Sequence, residues 1–174
     1  KKKWGFQYAY TPFWVQQLGV FSQTNQGLQR LDDFIEAIPK EYRFIEMNMN
    51  HSMPLMEGSN YQIKSNFNYV LELTKPYKDQ HKGYSKNLKR NLKKAKANGL
   101  QFFKNDAPKS LIHLFRHDKG RSIAHFSEQD YKNLEYIMHV AMNKHCGQIL
   151  MAYDEGNRAV AGCFLLFSSN RVIL

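Results

Sequence analysis

Cysteine is scarce in this chain: 174 residues contain two, Cys146 and Cys163. One falls at the end of an expected helix and the other in an expected buried strand, so two reduced thiols are expected rather than a disulfide staple, and with them a cytoplasmic setting. Long apolar runs are missing as well. None approaches the roughly 20 residues that cross a bilayer, and the opening "KKKWGFQYAY" has no apolar stretch of the signal-peptide kind. The phosphate-cradling GxxxxGK[ST] loop, the GxGxxG turn and paired CxxC motifs are all absent, which removes nucleotide-fold and zinc-finger readings. Acid is in short supply too, with 15 Asp and Glu against 25 Lys and Arg, a net charge of +10.

What is present is ample apolar material. Hydrophobic residues make up 43% of the chain and aromatic ones 14% of it, which suffices for a packed core, so the chain reads as globular. Its length suits one domain or two small ones. "FQYAY" begins a strand near Phe6 to Tyr10, which Pro12 and Gly19 break into a loop. Leu28, Leu31, Phe34, Ile35 and Ile38 recur at helical spacing, with Pro39 as the stop. "YRFIEMNMN" reads as a strand, and "NFNYVLELT" alternates Phe67, Tyr69, Leu71 and Leu73 with Asn66, Asn68, Val70 and Glu72, a strand with one buried face. Further on come a basic helix, a strand at "LQFFKN", a helix entered at Pro108, and a long helix opened by Ser127 and Asp130 with Phe126 stapled onto Tyr131. "GQILMAY" and "AVAGCFLLF" form a hairpin across "DEGN", and "RVIL" starts one more strand. The fold class expected is α/β, in the α+β sense of a mixed sheet.

The positive charge is concentrated. Between residues 75 and 104 ten cations stand against Asp79 alone, which gives +9 and leaves the rest of the chain at +1. At its centre "YSKNLKRNLKKAKANGL" places Lys86, Lys89, Arg90, Lys93, Lys94 and Lys96 on one helix. Tyr84, Leu88, Leu92 and Ala95 form a narrow apolar stripe expected to dock on a core, and Asn98 and Gly99 close the helix. Like charges four apart repel by about 0.2 to 0.5 kcal/mol per pair, so a bound anion would offset a cost this helix otherwise carries. Lys86, Lys89, Arg90, Lys93 and Lys94 are the candidate anion-binding residues.

Smaller motifs carry less. His113 and His117 stand four apart, the spacing of a two-histidine metal edge, but the zincin Glu is missing and Leu114 and Phe115 mark part of the face as core, so they read as surface histidines. No metal is expected. The neighbours His145 and Cys146, and His51 and Ser52, lack the separation a nucleophile and its base need. Gln16, Gln17 and Gly19 fall where a strand ends and a helix approaches, either an ordinary glycine turn or a place where freed amides hold a phosphate or an acyl carbonyl.

Taken together, "YAYTPFWVQQLGVFS", the helix after it, "YRFIEMNMN", "YSKNLKRNLKKAKANGL", the long helix and "AVAGCFLLFSSNRVIL" resemble the FemAB-like branch of the GNAT superfamily, acyl and aminoacyl transferases with two GNAT domains in tandem. The basic helix resembles the "YSKNxRRxIRKAxKxG" segment that opens the second domain in that group. The resemblance implies that residues 1–80 are the C-terminal half of a first GNAT-like domain and 81–174 the N-terminal half of a second. With no initiating Met and an end inside a strand at "NRVIL", the chain is expected to be an internal fragment.

The implied activity is transfer of an acyl or aminoacyl group to an amine, with a cell-wall precursor as acceptor. The donor would be acyl-CoA or aminoacyl-tRNA, and no cofactor is expected to stay bound to the fragment. The partners implied are anionic: CoA, tRNA or a nucleotide-linked precursor, with no sequence-specific DNA and no transmembrane segment. Gln16 and Gly19 fit the first positions of the donor loop Q/RxxGxG/A, while Phe21 stands where its second glycine is wanted. No catalytic base is identifiable. Two alternatives remain: a non-catalytic basic module that binds nucleic acid such as tRNA, and a GNAT fold that has lost activity.

Overall fold

The computed structural model describes residues 2–3, 5–20, 31–51, 53, 61–123, 126–168 and 170–174. The chain divides into two compact units, Lys1–Asn68 and Tyr69–Leu174, where the sequence reading placed a break after residue 80.

The first unit holds β1 (Lys2–Lys3), β2 (Phe6–Tyr10), α1 (Leu31–Glu36) and β3 (Tyr42–Glu46) in a sheet of order β1-β2-β3. β1 runs antiparallel to β2, and β2 runs parallel to β3 with Tyr8 opposite Phe44 and Tyr10 opposite Glu46. A parallel pair needs a crossover, and the stretch containing α1 supplies it. Beyond β2 the parallel pairing resumes at a single bridge between Leu18 and Met49. There the Leu18 amide donates to the Asn48 carbonyl at 2.7 Å and the Asn50 amide to the Leu18 carbonyl at 2.8 Å.

The second unit holds α2 (Tyr77–Lys82), α3 (Lys86–Ala97), β4 (Gln101–Lys104), α4 (Pro108–His117), α5 (Glu128–Asn143), β5 (Gly147–Tyr153), β6 (Ala159–Ser168) and β7 (Arg171–Ile173). Its sheet has the order β4-β5-β6-β7, antiparallel throughout. Leu111 and Ile112 of α4, Tyr131 and Met138 of α5, and Ile149 and Met151 of β5 form the core. Ile149 and Met151 are fully buried, each worth about 1.5 to 3 kcal/mol in apolar transfer. α4 comes down onto the sheet at Gly162, where a Cβ would lie 2.4 Å from Met151 Sδ and 2.8 Å from Leu111 Cδ1.

The expected capping box is present on α5: Ser127 Oγ accepts from the Asp130 amide, and Asp130 Oδ2 accepts from the Ser127 amide at 2.8 Å. Phe126 sets its ring edge on Tyr131 with centroids 5.8 Å apart, which fixes the chain's entry into the helix.

Two expectations fail. "NFNYVLELT" forms no strand, and Phe67 is 98% exposed and Tyr69 94%. Its alternation marks a face able to be buried, but an unpaired extended segment has no ladder to hold it in strand form. Likewise α3 buries none of its residues, and Leu88 and Leu92 stay exposed instead of docking on a core. Leu28, at the start of the expected first helix, lies outside the described residues.

Candidate functional site

α3 begins where Ser85 Oγ accepts from the Leu88 amide at 3.2 Å and ends at Asn98, followed by Gly99 at φ +64. Glycine suits that turn twice over: the conformation is left-handed, and a Cβ there would lie 2.6 Å from Glu155 Oε1. Eight of its twelve residues are polar or charged and none is buried, so what orients the helix is charge and not burial.

At about 100° per residue, Lys86, Lys89, Arg90, Lys93, Lys94 and Lys96 fall within an arc of about 160°, and Leu88, Leu92 and Ala95 lie on the opposite side. Twelve residues extend that cationic face over about 18 Å. Two of the six cations are tied back to the chain: Lys89 Nζ donates to the Lys82 carbonyl at 2.8 Å, and Arg90 Nη2 donates to Asn87 Oδ1 at 2.7 Å. The one acid of this stretch, Asp79, is held by Lys82 at 2.7 Å. Lys86, Lys93, Lys94 and Lys96 have no ion pair among the described residues. The first turn carries no acid, so Lys86 faces the positive end of the helix dipole, which makes an incoming anion more favourable still. Tyr77, His81 and Tyr84 gather ring to ring beside the helix start, with centroids 5.3 to 6.3 Å apart.

At the C-terminal end of α3 lies an open depression of about 470 Å³ lined by Asn98, Asp154, Glu155, Gly156 and Arg158. Asp154 is occupied: it accepts from the Gly156 and Arg158 amides and pairs with the Arg158 guanidinium at 2.8 Å. The backbone N–H of Arg158 and then its side chain hold the Asp154 carboxyl below its usual range. Among the described residues Glu155 has no such partner. The cationic face thus gives way to a carboxylate at its end, a change of sign suited to a ligand that carries phosphate at one end and an amine at the other.

In the first unit Gln16 is exposed and Gln17 and Gly19 are half-buried. A Cβ on Gly19 would lie 2.1 Å from Asn50 Nδ2, so the close approach of Asn50 alone accounts for this glycine. The Leu18 amide is spent on Asn48, and the Val20 amide points to Met53 Sδ at 3.4 Å. Gln16, Gln17 and Gly19 therefore sit on a loop closed against Asn48, Asn50 and Met53. Phe21 and Ser52 lie outside the described residues.

One polar cluster escaped the sequence reading. Asp106 accepts from the Tyr153 hydroxyl, from the Ala107 amide at 2.6 Å and from Ser110 Oγ at 3.4 Å. The Tyr153 hydrogen bond holds Asp106 below its ordinary pKa, and Asp106 pushes Tyr153 above its own. Phe103 packs edge-on against the Tyr153 ring at 5.5 Å. The cluster locks the start of α4 to the end of β5, and its only sequence signal is an Asp two residues before a helix-entry proline.

The remaining motifs stay separate. His145 sits at φ +55 in the turn after α5, and Cys146 and Cys163 are both free thiols, the latter raised in pKa by burial. Among the described residues no three His, Cys, Asp or Glu side chains gather as a metal site, and no helix is long and apolar enough to cross a membrane. No protein-family model, curated protein or solved structure matches the chain.

Proposed function

We propose that this chain is part of an acyl or aminoacyl transferase of the tandem-GNAT kind, cytoplasmic, acting on an amine acceptor, and that α3 holds the phosphates of its anionic substrate. One observation carries the anion-binding half: Lys86, Lys93, Lys94 and Lys96 share an exposed face with no acid paired to them among the described residues. The transferase half rests on the sequence resemblance. It is supported by the order strand, two helices and three antiparallel strands in β4, α4, α5, β5, β6 and β7, and by the parallel crossover of β2, α1 and β3.

In this reading phosphates of CoA, tRNA or a nucleotide-linked cell-wall precursor take charge-assisted hydrogen bonds from the α3 lysines. The amine nitrogen attacks the acyl carbonyl, backbone N–H groups stabilise the oxyanion, and the thiol or ribose hydroxyl leaves with the proton the amine gives up. The test is transfer of a labelled acyl or aminoacyl group to amine acceptors by the protein that carries this chain. Turnover with one donor class is expected, and no turnover with either acyl-CoA or aminoacyl-tRNA contradicts the proposal.

A second reading, a non-catalytic module that binds tRNA, is favoured by Tyr77 and Phe102, which flank α3 and are 64% and 73% exposed, available to stack on unpaired bases.

A further inference from the structure

The anion-binding face does not account for the histidines of α4. His113 and His117 are both exposed, one turn apart, and their rings face each other with centroids 4.1 Å apart and planes tilted by 31°. His117 Nδ1 lies 2.8 Å from the His113 carbonyl oxygen. A carbonyl oxygen only accepts, so Nδ1 of His117 must carry the proton, and in the neutral ring the lone pair is left on Nε2, pointing away from the backbone. Metal-binding histidines are commonly prepared in this way, with one ring nitrogen bonded to a backbone carbonyl and the other free for the metal. Metal–nitrogen bonds of about 2.0 to 2.1 Å put two ligating nitrogens about 3.0 to 3.4 Å apart, on the scale of the 4.1 Å that separates the two ring centroids.

We propose that His113 and His117 form a two-histidine site for a divalent first-row transition cation, with water completing the coordination. Paired imidazoles favour copper, nickel and zinc over magnesium and calcium, which prefer oxygen. The other cations of α4 do not stand in the way. Lys109 is drawn to Glu135 of α5 at 3.9 Å, and Arg116 is held by Glu128 and lies 4.3 Å over the Tyr131 ring. Because the two ligands are one helical turn apart, the cation binds the helical form of this segment and not the unfolded one, so it staples the end of α4 and raises the chain's stability by mass action.

The experiment is a nickel(II) titration of the whole chain, followed by calorimetry and by the ¹⁵N resonances of the histidine rings. One site is expected, with Nε2 of His117 and a ring nitrogen of His113 shifted together and the thermal midpoint raised. His113→Ala and His117→Ala should each weaken binding at least about tenfold, the loss of a chelating partner. His139→Ala, one of the remaining described histidines, should leave it unchanged. Both alanine variants change exposed side chains, and the ring resonances of the unmutated chain give a reading that does not depend on them. Shifts confined to other histidines, or equal affinity in all four proteins, would overturn the proposal.

Discussion

α3 and α5 are both amphipathic by sequence, yet the chain uses them in opposite ways. α5 runs 16 residues, opens on a complete capping box, and buries Tyr131, Met138 and Ala141 against β5 and α4. α3 runs 12, opens on Ser85 alone and buries nothing. The difference lies in the composition of the apolar stripe. α5 spaces large side chains over four turns, whereas α3 offers Leu88, Leu92 and Ala95 against six cations on the other side. Packing holds α5 in place, and most helical stability in proteins comes from such packing. α3 has its cap, its backbone hydrogen bonds and the exposed side-chain bonds of Lys89 and Arg90 to set against about 1 to 3 kcal/mol of like-charge repulsion over its six i,i+3 and i,i+4 pairs. A helix in that state gains nothing from the core, and the proposed anion would offset its repulsion.

The largest test of this contrast is a pair of truncations. Met138→Ala should cost about 2 to 5 kcal/mol in urea unfolding, because it opens a cavity in the core. Leu92→Ala should cost less than about 1 kcal/mol, because the position is exposed and alanine is the better helix former. Equal losses would break the comparison.

A middle-sized effect concerns how α4 is anchored. Tyr153→Phe removes the donor to Asp106 and should cost about 1 to 3 kcal/mol. The sign with pH follows from the two shifts. Asp106 has a lowered folded pKa, so its contribution is present above the unfolded carboxyl value of about 3.9 and is lost as pH falls through the folded one. Tyr153 has a raised folded pKa, so its contribution is full below about 10 and is lost as pH rises past that. Urea midpoints across pH should therefore fall less steeply at both ends in Tyr153→Phe than in the parent. Parallel curves would remove Asp106 from the account.

The smallest effects separate the two helix starts. Ser127→Ala should cost about 1 kcal/mol of global stability, since α5 unfolds with the core. Ser85→Ala should leave the global midpoint in place and instead speed amide exchange at Leu88 and its neighbours. A matching global loss from Ser85→Ala would mean that α3 is tied to the core after all.

These contrasts also mark how far sequence carries. Whatever rests on local chemistry was legible: β2 at Phe6–Tyr10, the Ser127 and Asp130 box, the Pro108 helix entry, the Asn98 and Gly99 close, and the turn at Asp154–Asn157. What depends on a partner across space was not. "NFNYVLELT" shows the period of a strand, but period does not say whether a neighbour exists. Leu88 and Leu92 show the spacing of a buried stripe, but spacing does not say what covers it. The Asp106 and Tyr153 contact joins residues 47 apart, and no pattern in either segment announces it. The cations of α3 were readable as a group. Only the structure separates Lys89 and Arg90, tied to Lys82 and Asn87, from the four that have no ion pair among the described residues.

The central claim, that this free face holds phosphate, is tested most directly by the binding of tRNA to the chain with and without Lys93→Glu and Lys94→Glu, titrated against salt. The parent's affinity should fall steeply with salt, by a log–log slope of about −0.7 per phosphate neutralised. The double variant should bind at least about tenfold more weakly at low salt, show a shallower slope, and keep the parent's unfolding midpoint. Unchanged affinity at low salt would make α3 a solvated face and contradict the account.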